Sequence, residues 1–345
     1  MNTVKNSQPE DRRRKAVPDD SVAIDSFDSP SPVSQMPPGP SSLTAGEKGE
    51  LRCGYIALIG APNAGKSTLL NQLIGRKLAI VTPKVQTTRS RLLGIAIEGA
   101  TQLIFVDTPG IFEPRRRLDR AMVAAAWAGA ADADQVVQLV DATRPEAGDT
   151  RRIIEQLAAG KRRAVLALNK IDLVRREKLL AMADTLFQAG VFEKVFMISG
   201  LKGDGVADLR HYLAGLMPAG PWLFPEDQLS DAAERWLAAE ITREQVFLQL
   251  HDELPYAAAV ETEAWEERKD GSARIDQVIY VQRAGQRAIV LGDKGQRIKS
   301  IGARARAELE RLLDRRIHLF LFVKVRDNWV DDPERYAALG LDFNV

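Results

Sequence analysis

The sequence has 345 residues, of which 45% are hydrophobic, and this is enough chain for about two domains of roughly 100–200 residues each. Its formal net charge of +1 excludes a uniformly basic coat, so a nucleic-acid surface would have to arise from local clustering of charge. The single cysteine, Cys53, excludes an internal disulfide framework and fits a reducing cytoplasm, and no apolar run reaches the roughly 18 residues that a membrane span needs.

Residues 1–50 are predicted to form a disordered tail. They contain seven prolines, many serines and aspartates, and Phe27 as their one aromatic residue. Such a segment buries too little apolar area to offset the entropy cost of ordering it. The basic cluster Arg12–Lys15 would suit an organelle transit peptide, but acidic residues surround it, so a solvated tail is the favoured interpretation.

Residues 51–217 alternate short apolar runs with helical stretches, which is the pattern of a sheet with crossover helices. The second and third runs are separated only by Glu98–Ala100, too few residues for a helix, so an antiparallel hairpin is expected inside an otherwise parallel sheet. The predicted fold class is therefore α/β, with a mixed, six-stranded, doubly wound sheet. The predicted strands are Tyr55–Ile59, Leu92–Glu98, Gln102–Val106, Gln135–Val140, Ala164–Leu168 and Lys194–Ser199.

The first strand is followed by Gly60-Ala61-Pro62-Asn63-Ala64-Gly65-Lys66-Ser67 and a helix that continues with Thr68, the arrangement of a P-loop NTPase. The glycines let backbone N–H groups wrap around phosphates, and the helix N-terminus adds its positive end. Lys66 is predicted to contact the β and γ phosphates, and Ser67 to bind Mg²⁺. The strand–loop–helix context argues against a glycine-rich turn met by chance.

The next segment, Thr82–Arg89, is polar and aperiodic, as expected of a switch segment that is ordered by the γ-phosphate and Mg²⁺. Thr88 is predicted to be the second protein ligand of Mg²⁺, with Thr87 as the alternative. Asp107-Thr108-Pro109-Gly110 follows the third strand directly. Asp107 is expected to hold a Mg²⁺-bound water, and Gly110 leaves the backbone free to meet the γ-phosphate.

The base is predicted to be guanine. Asn169-Lys170-Ile171-Asp172 follows the fifth strand, and the carboxylate of Asp172 can accept hydrogen bonds from guanine N1 and N2, a donor pair that adenine lacks. Ser199-Gly200-Leu201, at the end of the last strand, is expected to bring backbone N–H groups to guanine O6. Three motifs in order on successive strand ends predict a GTPase that binds GTP, GDP and Mg²⁺.

Two residues bear on how hydrolysis proceeds. Ile111 follows Gly110 where many small GTPases have a glutamine that orients water, and its side chain forms no hydrogen bonds. Asn63 offers a side-chain oxygen near the α and β phosphates and is predicted to bind K⁺. Stabilisation of the loop by ordinary hydrogen bonds is the alternative role of Asn63.

Prolines and glycines between residues 218 and 230 mark a linker, and residues 231–345 are predicted to form a smaller α+β domain. The expected element order is α-β-β-α-α-β. These elements are Asp231–Gln249, Ala257–Glu267, Ala273–Arg283, Gln286–Leu291, Gln296–Leu313 and Ile317–Val325.

The turn Gly292-Asp293-Lys294-Gly295 lies at the start of the longest of these helices. Two glycines three residues apart let the backbone of single-stranded RNA approach, and Lys294, Arg297 and Lys299 supply charge for its phosphates. Residues 284–326 hold 11 lysines or arginines against 4 aspartates or glutamates, a local net charge of +7. The turn and the charge together predict a type II KH domain that binds RNA.

These motifs together resemble the Era family of bacterial GTPases. Gln86–Arg89, Glu253–Tyr256 and His318–Val325 followed by Trp329 are similar to that family as well, and Gly200 stands where its members commonly have alanine. The similarity runs from about residue 54 to 343. It implies binding to the 3′ region of 16S rRNA, GTP-controlled assembly of the small ribosomal subunit, and a cytoplasmic monomer that also contacts the inner face of the membrane.

Two other functions compete with this interpretation. A GTPase of tRNA modification shares the loop with Asn63, but it lacks a C-terminal Gly-x-x-Gly module and normally ends in a reactive cysteine, whereas this chain has no cysteine besides Cys53. An RNA-binding scaffold with an inactive nucleotide domain is opposed by the intact Lys66, Ser67 and Asp107. Measured GTP turnover separates the scaffold from the enzyme.

Overall fold

The computed structural model describes residues 50–84, 87–251, 254–326 and 333–345. The predicted tail up to residue 49, Val85 and Gln86 of the switch segment, Glu253, and Trp329 lie outside the described residues.

The N-terminal domain is a six-stranded sheet in the order β2-β3-β1-β4-β5-β6. β2 is antiparallel to β3 and the other neighbours are parallel, so the predicted mixed sheet is confirmed. Its elements are β1 (Arg52–Gly60), α1 (Lys66–Ile74), β2 (Leu92–Glu98), β3 (Thr101–Asp107), α2 (Arg117–Asp132), β4 (Gln135–Asp141), α3 (Gly148–Ala159), β5 (Ala164–Asn169), α4 (Arg176–Phe187), β6 (Phe192–Ile198) and α5 (Val206–Leu216).

Helices cover both faces of this sheet, which explains why its strands are nearly continuous apolar runs. In β1, Ile56 and Leu58 pack with α1 and α5, whereas Ala57 and Ile59 pack with α2, α3 and α4. All four side chains are fully buried. Because successive strand side chains point to opposite faces, one short strand contributes to two cores and is held firmly at its carboxyl end.

The C-terminal domain has a three-stranded sheet in the order β7-β8-β9, in which β7 is antiparallel and β9 parallel to β8. Its helices and strands confirm the predicted order, and the bounds of α8 and β9 are those predicted. The elements are α6 (Glu234–Gln249), β7 (Ala259–Glu267), β8 (Ala273–Val281), α7 (Ala284–Leu291), α8 (Gln296–Leu313) and β9 (Ile317–Val325).

A further helix, α9 (Pro333–Ala338), was not predicted from the sequence. The segment returns to the N-terminal domain, where Tyr336 and Leu341 pack against Leu118 and Met122 of α2. Six residues give too few periodic positions for an amphipathic pattern, so this helix owes its place to tertiary packing.

The predicted linker is an ordered strap along the edge of the N-terminal sheet. The Gly220 N–H donates to the Leu51 carbonyl at 2.9 Å, and the Ile95 N–H donates to the Leu229 carbonyl at 2.8 Å. The Ser230 hydroxyl donates to the Leu93 carbonyl at 2.8 Å, and the Asp231 carboxylate accepts the Leu93 N–H at 3.1 Å. The chain is therefore fixed to the N-terminal domain as far as Asp231.

Candidate active site

The phosphate loop joins β1 to α1 and depends on glycine at two positions. Gly60 has a φ of 157° and Gly65 a φ of 100°, which side chains rarely adopt. A Cβ atom on Gly60 would lie 2.6 Å from the Leu139 carbonyl oxygen, and one on Gly65 would lie 2.3 Å from Nδ2 of Asn169. The loop can therefore lie this close to β4 and to the end of β5 only without side chains at these positions.

Lys66 folds back over the loop and is 6% exposed. Its Nζ donates to the carbonyls of Gly60 at 3.1 Å and Ala61 at 3.2 Å. Burial lowers the pKa of Lys66 to about 8, against the opposing attraction of Asp107. A bound phosphate group would offset this burial by adding negative charge beside the ammonium.

Three oxygen atoms meet beside Lys66. The Ser67 Oγ lies 2.8 Å from Oδ2 of Asp107 and 2.8 Å from Oγ1 of Thr88, and the Thr88 Oγ1 lies 3.1 Å from the same carboxylate oxygen. Asp107 is fully buried, and burial raises its pKa although Lys66 and hydrogen bonds from Ser67 and Thr88 lower it. Its Oδ1 has no hydrogen-bond partner among the described residues. An all-oxygen set with a free carboxylate oxygen fits Mg²⁺.

Thr87 does not join this cluster. Its hydroxyl lies 2.9 Å from the Thr82 hydroxyl and donates to the Lys84 carbonyl at 2.9 Å. Both contacts stay within the switch segment. The geometry thus brings Thr88, and not the alternative Thr87, to Ser67 and Asp107.

The backbone after Asp107 crosses the phosphate loop. The Ile111 N–H donates to the Gly60 carbonyl at 3.1 Å, and a Cβ atom on Gly110 would lie 3.0 Å from Cα of Pro62. The Ile111 side chain is 1% exposed and packs in the core with Ala57. This side chain is therefore buried and has no group that could form a hydrogen bond with water.

Asn63 links the phosphate loop to the switch segment. Its Nδ2 donates to the Pro83 carbonyl at 3.0 Å, and its backbone has a φ of 63°. Its side-chain oxygen forms no hydrogen bond with a described residue. Beyond Pro83 the switch segment is described at Lys84 and again from Thr87, whereas Val85 and Gln86 lie outside the described ranges.

The base-reading residues connect three loops. The Asn169 Nδ2 donates to the Ala64 carbonyl at 2.8 Å, and its Oδ1 accepts the Gly200 N–H at 2.8 Å. The Ser199 hydroxyl donates to Oδ1 of Asp172 at 2.8 Å. Asn169 thereby ties the phosphate loop to the loop after β6, and Ser199 orients the carboxylate. Leu201 is exposed beside them.

Asp141 is a functional candidate that sequence reasoning missed. It accepts a hydrogen bond from Lys170 Nζ at 2.7 Å, and burial, which raises its pKa, is outweighed by the hydrogen bonds from Lys170 and Thr143, which lower it. Because Lys170 has a φ of 65°, this ion pair helps to hold an unfavourable backbone. The available signal was the polar run at the end of β4, next to the strand that ends at Asn169.

A cavity of about 420 Å³ lies between the phosphate loop and the switch segment. Ile80, Val81 and Arg144, which line part of it, were not predicted from the sequence. Its lining consists of Pro62, Asn63, Gly65, Lys66, Ser67, Thr68, Ile80, Val81, Thr82, Pro83, Thr87, Thr88, Gly110, Arg144 and Lys170.

The predicted RNA-facing turn lies between α7 and α8. Gly292, Lys294 and Gly295 have φ values of 72°, 48° and 76°, and a Cβ atom on Gly292 would lie 2.7 Å from Cβ of Arg297. The turn thus requires Gly292 for its own folding. Asp293, Lys294 and Lys299 are exposed, whereas Arg297 donates to the Gln249 carbonyl at 3.1 Å and ties α8 to α6.

A groove of about 450 Å³ runs beside this turn, between the end of α6 and the start of α8. It is lined by Leu248, Gln249, His251, Gly292, Asp293, Gln296, Arg297 and Ser300.

Among the helices of the described residues, none is long and apolar enough to cross a membrane.

Two family models match the chain, 50S ribosome-binding GTPase over residues 55–170 and KH domain over residues 253–330. The chain is 58% identical to GTPase Era of Rhizobium meliloti, over 85% of this chain and 93% of that protein. It is 56% identical to GTPase Era of Caulobacter vibrioides, over 85% of this chain and 98% of that protein.

Two solved structures are similar over 84% of this chain and 99% of theirs, each with 36% identity and a TM-score of 0.79. One is Era in complex with MgGDPNP and nucleotides 1506–1542 of 16S ribosomal RNA. The other is a tyrosine-to-alanine variant of Aquifex aeolicus Era bound to GDP and AlF4⁻.

Proposed function

This chain belongs to the Era family of GTPases, and we propose that its GTP hydrolysis controls how its KH domain binds the 3′ region of 16S rRNA during assembly of the small ribosomal subunit. As a member of that family it binds GTP and GDP and hydrolyses GTP to GDP and phosphate. Hydrolysis then acts as a timer for RNA binding and not as a metabolic step.

One observation carries the nucleotide part of the proposal: Ser67, Thr88 and Asp107 bring their oxygen atoms within 2.8–3.1 Å of one another next to Lys66. In our proposal Ser67 and Thr88 bind Mg²⁺ and Asp107 holds one of its waters. Thr88 belongs to the switch segment, so the metal would join that segment to the nucleotide. The solved relative carries MgGDPNP, which supports this assignment.

We assign guanine recognition to Asp172, with Asn169, Lys170 and the backbone of Ser199–Leu201 completing the base site. The hydrogen bond from Ser199 supports this role, because it fixes a carboxylate that would otherwise rotate. Glycines and amides from Gly60 to Thr68 bind the phosphates, with Lys66 between the β and γ groups.

A K⁺ ion bound by Asn63 is also part of the proposal. Ile111 is buried and cannot orient water, so the charge that develops between the β and γ phosphates needs another stabiliser. The contact of Asn63 with Pro83 supports a position between the loop and the switch segment, where an ion would meet phosphate oxygens and backbone carbonyls. Lys66, Thr88 and Gly110 complete the catalytic set.

For RNA we propose that the backbone passes over Gly292–Gly295, with Asp293, Lys294, Arg297 and Lys299 around it. The local net charge of +7 and the relative with bound 16S rRNA support this surface. A monomeric state, a cytoplasmic location and peripheral contact with the inner face of the membrane complete the proposal, on the strength of the family relationship.

Crosslinking in cells tests the RNA partner. The GTP-bound protein is crosslinked, purified, and its attached RNA sequenced, beside a Lys294→Asp variant that keeps the nucleotide site. Reads are expected to concentrate at the 3′ end of 16S rRNA for the unmodified chain and to fall for the variant. Reads spread evenly over cellular RNA would overturn the ribosomal assignment.

A further inference from the structure

The C-terminal domain holds the switch segment immediately before and after Thr88. Arg243 of α6 donates to the carbonyl of Thr87. Arg89, on the other side, donates to the carbonyls of Pro255, Tyr256 and Ala258 at 3.3, 3.1 and 3.0 Å. Both arginines are buried, with exposed fractions of 4% for Arg243 and 5% for Arg89. Because contacts hold the chain on both sides of it, Thr88 has little freedom to leave its position.

A second set of contacts holds the first part of the switch segment and the residues just before it. The Glu244 carboxylate accepts the Val81 N–H at 2.8 Å and pairs with Lys77 at 2.5 Å. The Nζ of Lys84 donates to the carbonyl of Phe247 at 2.5 Å and to that of Leu250, so it satisfies carbonyls at the end of α6. Ile80 packs in the core of the C-terminal domain.

The arginine contact is specific, but it carries an electrostatic cost. The guanidinium groups of Arg89 and Arg243 lie 5.6 and 5.2 Å from the centroid of the Phe247 ring, and Glu240 holds Arg243 at 2.7 and 2.5 Å. Burial and the neighbouring Arg243 lower the pKa of Arg89 to about 9. Nε of Arg89 and one terminal nitrogen of Arg243 lack partners within the described residues. The two like charges, offset in part by Glu240, therefore lie in an interface whose burial costs electrostatic free energy.

We propose that Arg243 is a positioning residue for Thr88, through which the C-terminal domain completes the metal site of the nucleotide domain. By fixing the Thr87 carbonyl, Arg243 keeps the Thr88 hydroxyl 2.8 Å from Ser67 and 3.1 Å from Asp107. The inference rests on the metal role of Thr88 in the proposed function. By linkage, a contact that strengthens Mg²⁺-dependent binding of the triphosphate is itself strengthened when that nucleotide binds.

Release of fluorescent GDPNP and GDP from the full-length protein, in Mg²⁺ and in EDTA, measures this role without hydrolysis. Arg243→Ala is expected to speed GDPNP release in Mg²⁺ about tenfold, the usual effect of losing a hydrogen bond from a charged donor. Release in EDTA and release of GDP are expected to stay unchanged, because the proposed role of Thr88 requires both Mg²⁺ and the γ-phosphate that orders the switch segment. Arg243→Lys restores part of the effect.

Arg235→Ala is the matched control, because Arg235 lies on the same helix and also donates to backbone carbonyls, those of Thr262 and Glu263, away from the switch segment. It is expected to change nothing. Since Arg243→Ala leaves Glu240 without its cation, Arg243→Met combined with Glu240→Gln is measured in parallel and is expected to match it.

The Thr88→Ala background separates the two levels of the proposal. If Arg243 acts through Thr88, Arg243→Ala has no further effect once Thr88 is alanine. Equal effects of Arg243→Ala in both backgrounds would overturn the positioning role. If Thr88→Ala alone leaves GDPNP release in Mg²⁺ unchanged, the metal role of Thr88 fails, and the inference fails with it.

Discussion

Replacing Asp172 by asparagine tests the base site, because it replaces one carboxylate oxygen by an NH2 group and removes the negative charge. The substituted side chain keeps the same shape beside the Ser199 hydroxyl, which donates to Asp172 at 2.8 Å in the unmodified chain. Guanine, however, loses two hydrogen bonds to a charged acceptor, each worth about 1.5–3 kcal/mol. The loss of GTP affinity is therefore about 3–6 kcal/mol, or on the order of 10²–10⁴-fold.

Xanthosine triphosphate is expected to show the opposite change, because its 2-oxo group needs a donor, and an amide supplies one. Both affinities are measured by competition against a fluorescent nucleotide, for the unmodified chain and for Asp172→Asn. Ser199→Ala serves as the control. It removes the orienting hydrogen bond and the one that the Ser199 hydroxyl accepts from the Lys202 N–H at 3.1 Å, and it leaves the Asp172 carboxylate in place, so it should weaken GTP binding by about 1 kcal/mol without any gain for the xanthine nucleotide. Unchanged GTP binding by Asp172→Asn would refute the reasoning.

Three further predictions concern the RNA turn, the monovalent ion and the phosphate loop. Lys294→Asp is expected to abolish binding of 16S rRNA 3′-end fragments, measured against salt concentration, and to leave GTP binding intact. K⁺ is expected to accelerate GTP turnover more than Na⁺ at constant ionic strength, and Asn63→Ala to erase the difference while nucleotide binding survives. Gly65→Ala is expected to weaken the binding of GTP and of GDP equally, by about 1–3 kcal/mol, because its methyl group would displace Asn169 and strain the loop.

Each of these has an outcome that contradicts it. RNA binding by Lys294→Asp with an undiminished salt slope would remove the turn from the interface. Equal GTP turnover in K⁺ and Na⁺ for the unmodified chain, with or without rRNA, would show that Asn63 only stabilises the phosphate loop. For the phosphate loop the control is Gly99→Ala, which has positive φ but no atom within 4 Å of the added methyl. Equal nucleotide affinities of the Gly65 and Gly99 variants would contradict the steric argument.

The sequence predicted the sheet and the place of the nucleotide motifs because both follow from local rules. Parallel strands present their carboxyl ends at one edge, so Lys66, Asp107 and Asn169 had to lie near one another once the strands were identified. The predicted ends of α8 and β9 match the structure. Helix α8 could be recognised because Ile298, Ile301, Ala305 and Leu309 repeat at helical spacing, and all four are buried. The roles of individual site residues stay predictions.

The contacts between the domains could not be predicted in the same way. Arg243 meets the Thr87 carbonyl across 156 residues of chain, and Arg89 reaches carbonyls near residue 256. No periodicity and no motif in the sequence pairs these side chains with these carbonyls. The linker was predicted from its prolines, but its attachment through Gln102, which accepts the Leu223 and Phe224 N–H groups at 2.9 and 3.1 Å, depends on tertiary structure.

The strap that fixes the chain as far as Asp231 has a consequence for the contacts between α6 and the switch segment. Because Ser230 and Asp231 are bound to β2, only Ala232 and Ala233 separate the attached chain from the first residue of α6. A partner on so short a tether has an effective concentration on the order of millimolar. The contacts of Arg243 with the switch segment therefore form without the loss of translational freedom that two separate molecules would incur, and a small number of hydrogen bonds is enough to hold Thr88.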